Sequence, residues 1–73
     1  MRLSLKKRIK DYLMQWRMVK PEAWIHKGQL EALAKEAGYL AENCNRRCRE
    51  LVEEGWLERR LNKKGCVEYR WTL

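Results

Sequence analysis

Within the seven positions Asn43-Cys44-Asn45-Arg46-Arg47-Cys48-Arg49 the chain places two carboxamides and three guanidiniums. These groups suit the edges of nucleic-acid bases. An Arg can fork onto guanine O6 and N7 and an Asn onto adenine N6 and N7, each good pair giving about 1–3 kcal/mol of discrimination. Which of them reach a partner depends on the helix that carries them. At about 100° per residue, setting Cys44, Cys48 and Leu51 inward turns Glu42, Arg46, Arg49 and Glu53 outward. Asn43 and Asn45 then lie on the flanks, and Arg47 falls beside the buried face, where it packs its stem or pairs with a Glu. Glu53 and Glu54 would be repelled by phosphate, so only the N-terminal half of this helix is expected to enter a groove. The competing reading is a solvated face, with Arg46–Glu50 and Arg49–Glu53 as ordinary i,i+4 pairs and the Asn side chains stabilising the helix start.

Other reactive side chains are sparse. Cys44, Cys48, Cys66 and His26 make four potential metal ligands, but no CxxC knuckle is present. Cys44 and Cys48 also occupy core positions, where small buried thiols act as hydrophobes. No metal and no cofactor are expected, and His26 reads as a turn or helix-start residue. With one His, one Asp and one Ser (Ser4), no Ser-His-Asp scaffold is available, and no phosphate-cradling Gly motif occurs. The chain is not expected to be an enzyme.

The elements that must position the Asn/Arg segment follow from periodicity. Leu5, Ile9, Tyr12, Leu13 and Trp16 share one face, which predicts a helix over residues 3–18, with Pro21 ending it and Lys20 extended. Ala23-Trp24-Ile25-His26 reads as a minimal strand. A second helix is predicted over residues 29–37, burying Leu30, Leu33, Ala34 and Ala37, with Gly38 as its stop. A third spans 41–54 and ends at Gly55. Residues 56–73 form a hairpin: Leu57, Arg59 and Leu61 share one side, Val67, Tyr69, Trp71 and Leu73 alternate on the return, and Asn62-Lys63-Lys64-Gly65 connects them. The expected fold class is α+β, with three helices and a small antiparallel sheet in one domain over 1–73.

Seventy-three residues allow one small core, and four Trp with three Tyr give it the large side chains it needs. No apolar run approaches the roughly 20 residues of a membrane span, and no secretory leader is read at the N-terminus. The odd cysteine count argues against a disulfide framework, so a reducing cytoplasm is the expected location. The net charge of +7 at a pI near 9.7 makes nucleic acid the leading partner. Residues 1–20 hold seven Lys and Arg against Asp11 alone, so the first helix is expected to attract phosphate. Met14 and Met18, one turn apart and off the core stripe, form an apolar patch that a homodimer partner would cover.

Two helices joined by a short glycine turn, with a hairpin directly after, form a unit that lays its second helix in the major groove. The run from Gly38 to Arg60, with Arg46-Arg47 ahead of Glu50-Leu51, then Glu53-Glu54-Gly55 and Leu57-Glu58-Arg59, resembles microbial winged helix-turn-helix proteins. Val67-Glu68-Tyr69-Arg70-Trp71 is similar to the wing's return strand. The likeness covers residues 23–73, although Leu40 stands where a capping Ser or Thr is usual and Cys44 and Cys48 replace larger aliphatics. It implies a basic double-stranded DNA-binding protein, such as a transcriptional regulator or a phage or plasmid accessory protein. The DNA-binding residues would be Asn43, Asn45, Arg46 and Arg49 on the helix, with Lys63 and Lys64 at the wing tip touching backbone or minor groove. The alternative is a winged helix used as a protein–protein interaction module in a larger assembly.

Overall fold

The computed structural model describes residues 4–72. In chain order it comprises α1 (Leu5–Val19), β1 (Ile25–His26), α2 (Lys27–Glu36), α3 (Ala41–Glu53), β2 (Leu57–Leu61) and β3 (Val67–Trp71). The strands form one antiparallel sheet in the order β1-β3-β2. This α+β layout is consistent with a winged helix arrangement, as the order of sequence elements predicts.

The helix boundaries are set by local hydrogen bonding. Ser4 caps α1, its Oγ accepting from the Lys7 N–H at 3.2 Å, so the helix begins after the expected start at residue 3, which lies outside the described residues. At the other end Lys20 leaves the helical region (φ −138°, ψ 88°), as its position before Pro21 requires. The start of α2 departs from expectation by two residues. His26 acts as its N-cap, with Nδ1 accepting from the Gly28 N–H at 2.9 Å, and a His cap is not among the usual helix-start signals. The outcome agrees with reading His26 as a helix-start residue.

Both α2 and α3 close through the same C-terminal device. Gly38 (φ 86°) lets the Tyr39 N–H return to the Ala34 carbonyl, and Gly55 (φ 88°) lets the Trp56 N–H return to that of Leu51. These Schellman closures need a left-handed residue, which glycine adopts without steric cost. The first sets the abrupt turn between α2 and α3; the second launches the hairpin. By contrast Leu40 begins α3 with no side-chain cap, the omission expected from its residue type.

One core joins all six elements: Leu5, Ile9 and Leu13 of α1, Ile25 of β1, Leu30 and Ala34 of α2, Cys44, Cys48 and Leu51 of α3, and Leu57, Tyr69 and Trp71 of the hairpin. Trp56 stacks on Trp71 with centroids 5.7 Å apart. Leu33 and Ala37, expected inside, are only half-buried. In the hairpin Leu57 pairs with Trp71, Arg59 with Tyr69 and Leu61 with Val67, so these six share the face toward the helices. Leu73 lies outside the described residues.

Candidate nucleic-acid interface

α3 packs by the face that its sequence predicts. Cys44, Cys48 and Leu51 are fully buried, and Glu42, Arg46, Arg49 and Glu53 are exposed. Arg47 pairs with Glu50 at 3.2 Å, the fate expected of a cation beside the buried stripe. Neither i,i+4 pair of the solvated-face reading forms. Glu50 instead faces Lys6 at 3.4 Å as well as Arg47. Among the described residues Arg46 and Arg49 therefore have no ion-pair partner, and their guanidiniums stand free on the exposed face.

The two asparagines separate. Asn45 is half-buried, and its Nδ2 donates to Glu31 Oε2 at 3.1 Å, tying α3 to α2. Asn43 is also half-buried, on the opposite flank, where it lines a groove with Ser4, Leu5, Lys6, Tyr39 and Arg47. Of the four helix residues expected to meet a partner, only Arg46 and Arg49 share one open face. Lys63 and Lys64 are exposed at the hairpin tip. The tip is held by Asn62, whose Oδ1 accepts from the Lys64 and Cys66 N–H groups at 2.9 and 3.0 Å.

Three lysines of α1 have partners within the molecule. Lys6 joins Glu50 of α3 and Glu54 just past its end, Lys7 pairs with Asp11 at 3.0 Å, and Lys10 lies 4.2 Å over the Trp56 ring. The Glu54 carboxylate raises the Lys6 pKa, and Lys6 in turn lowers that of Glu54. These contacts clamp the start of α1 to the far end of α3, away from Arg46. The outer face of the sheet is likewise internally satisfied. Arg60 pairs with Glu68 and Arg70 with Glu58, while both guanidiniums lie within 4.6 Å of the Trp24 ring centroid.

Two cations that the sequence reading did not single out complete the open face. Lys27 at the start of α2 and Arg59 on β2 line a small groove with Asn45, Arg49, Val67 and Tyr69. Arg59 stands opposite Tyr69 in the hairpin, and burial pushes the Tyr69 phenol pKa up while the Arg59 charge opposes that rise. The signal was present: Arg59 stands on the apolar face of an alternating strand, where a charge has no structural reason to sit.

The three cysteines are free thiols. The Cys44 side chain beside it, with burial, raises the Cys48 pKa far above the ordinary thiol range, leaving an unreactive core residue. Among the described residues no three His, Cys, Asp or Glu side chains converge as a metal site, and no helix is long and apolar enough to cross a membrane. No protein-family model matches the chain, and no curated protein or solved structure matches it significantly.

Proposed function

We propose that the domain binds double-stranded DNA without catalysing a reaction, laying the N-terminal half of α3 in the major groove with the wing tip against the backbone. The observation that carries this reading is the division of its cations. Lys6, Lys7, Arg47, Arg60 and Arg70 are paired with acids elsewhere on the molecule. Arg46, Arg49, Lys63 and Lys64 are exposed and unpaired among the described residues and, unlike the equally open Lys20 and Lys35, they share the helix after the glycine turn and the hairpin that follows it. A helix of this kind reads base edges while a basic wing fixes register. Regulation of transcription, or an accessory role in a phage or plasmid, are the settings that suit such a domain. A reducing cytoplasm suits its three free thiols.

A titration onto random duplex DNA at several salt concentrations tests the reading. With about five phosphates neutralised, the logarithm of affinity falls with that of salt at a slope near −4 to −5. Absence of binding even at low ionic strength overturns it.

One observation favours the protein-interaction alternative. Leu40, at the start of α3, and Leu61, on the wing, are 65% and 59% exposed, and apolar side chains at such positions suit a protein partner better than phosphate. A second copy is the partner proposed for α1. Met14, Met18 and Val19 are exposed there, beside an apolar trough along Tyr12, Trp16 and Val19. Sedimentation that yields only monomer at high protein concentration contradicts the homodimer.

A further inference from the structure

The groove where α2, α3 and β2 meet is lined by three cations, Lys27, Arg49 and Arg59, each from a different element, with Asn45 and Tyr69 between them. No acid lines it. Glu31, the nearest acid through Asn45, already accepts the Asn45 amide at 3.1 Å. Three positive side chains line one space without an acid among them, so an anion placed there is attracted by all three. The groove measures about 170 Å³, below the roughly 300–1,000 Å³ of sites that enclose drug-sized organic ligands. It suits a single tetrahedral oxyanion. Its donors also suit one: two guanidinium forks, an ammonium and the start of α2, where backbone dipoles favour negative charge.

We propose that this groove seats one backbone phosphate of the bound duplex, shared by Lys27, Arg49 and Arg59. The seat rests on the DNA-binding reading and adds two residues to it. It anchors the duplex between α3 and the wing, so that Arg46 meets the bases from a fixed register. Sharing distinguishes this seat from three separate surface contacts.

The test compares the full chain with Lys27→Gln, Arg59→Gln and the double variant, measuring duplex affinity across a salt series. Circular dichroism checks that each variant folds, and Lys63→Gln with Lys64→Gln serves as a reference for contacts outside the groove. Each single change is expected to weaken binding roughly fivefold to tenfold, less than loss of a sole charge-assisted contact, because two cations remain on the phosphate. The double variant should weaken it by less than the product of the two, because both act on one phosphate. Its salt slope should fall by no more than about 0.9, the value of one phosphate, since Arg49 remains, rather than by about 1.8. Wild-type binding with slope and affinity unchanged in the double variant overturns the seat and leaves the DNA reading standing. Multiplicative losses with a slope change near 1.8 overturn the sharing. Failure of the wild-type chain to bind overturns the DNA reading and the seat together. If Arg59→Gln disturbs folding through Tyr69, Lys27→Gln combined with Arg49→Gln gives the same comparison.

Discussion

At the scale of single residues, neighbouring positions on α3 have opposite fates. Arg46 and Arg49 stand free, whereas Arg47 is held by Glu50 and Asn45 by Glu31. Arg46→Ala should therefore flatten the preference among duplex sequences, at about 1–3 kcal/mol for the base pair it reads. Lys63→Ala with Lys64→Ala should weaken all sequences alike. Competition binding against a randomised duplex pool separates the two outcomes. Glu42 gives a prediction with two signs. It stands exposed in the first turn of α3, where the helix dipole welcomes it but a phosphate does not. Glu42→Gln should raise duplex affinity roughly twofold to fivefold, the worth of one exposed like-charge contact, and lower thermal stability slightly. The outward stripe of α3 was legible because a helix has one angular period and Cys44, Cys48 and Leu51 fix its phase. The pairing of Asn45 was not, because nothing in that period says which neighbour packs on which flank.

At the scale of elements, the termini decide how well each helix is held. Leu40 leaves the first N–H groups of α3 without a side-chain acceptor, so Leu40→Ser should stabilise the domain by roughly 0.5–2 kcal/mol in chemical unfolding. The Lys6 clamp between α1 and α3 predicts a pH signature. Glu54 is held below its ordinary 4.5 by Lys6, so its contribution is present above that value and fades as pH falls through the lowered one. Lys6 is held above its ordinary 10.5, so its contribution is present below that value and fades as pH rises through the raised one. Thermal unfolding of the wild type and Lys6→Met should differ between these limits and converge in acid. A difference that persists below the Glu54 titration contradicts the clamp. Periodicity and the glycine stops placed all three helices, since Gly38 and Gly55 do the work assigned to them. The start of α2 was placed two residues late, although His26 was read as a turn or helix-start residue, because His is not among the usual capping signals that fix a boundary.

At the scale of the molecule, a net charge of +7 says that an anion is wanted but not where. The sequence concentrates its positive charge in the first twenty residues, yet α1 lysines are turned to Glu50, Glu54, Asp11 and Trp56. Open cations stand instead on α3, the start of α2 and the hairpin, while Lys20 and Lys35 are also exposed without an ion pair among the described residues. That redistribution was hidden because it depends on contacts between residues 48 positions apart, as for Lys6 and Glu54. On the DNA-binding reading, the face that carries Arg46, Arg49, Lys63 and Lys64 is the one that would meet the duplex. Backbone amide chemical shifts followed by NMR during addition of a duplex locate that face most directly. Shifts are expected to concentrate at Lys27, Arg46, Arg49, Arg59, Lys63 and Lys64, with Lys6, Lys7 and Lys10 left in place. Shifts centred on α1, or on the outer sheet face around Trp24, would contradict that placement.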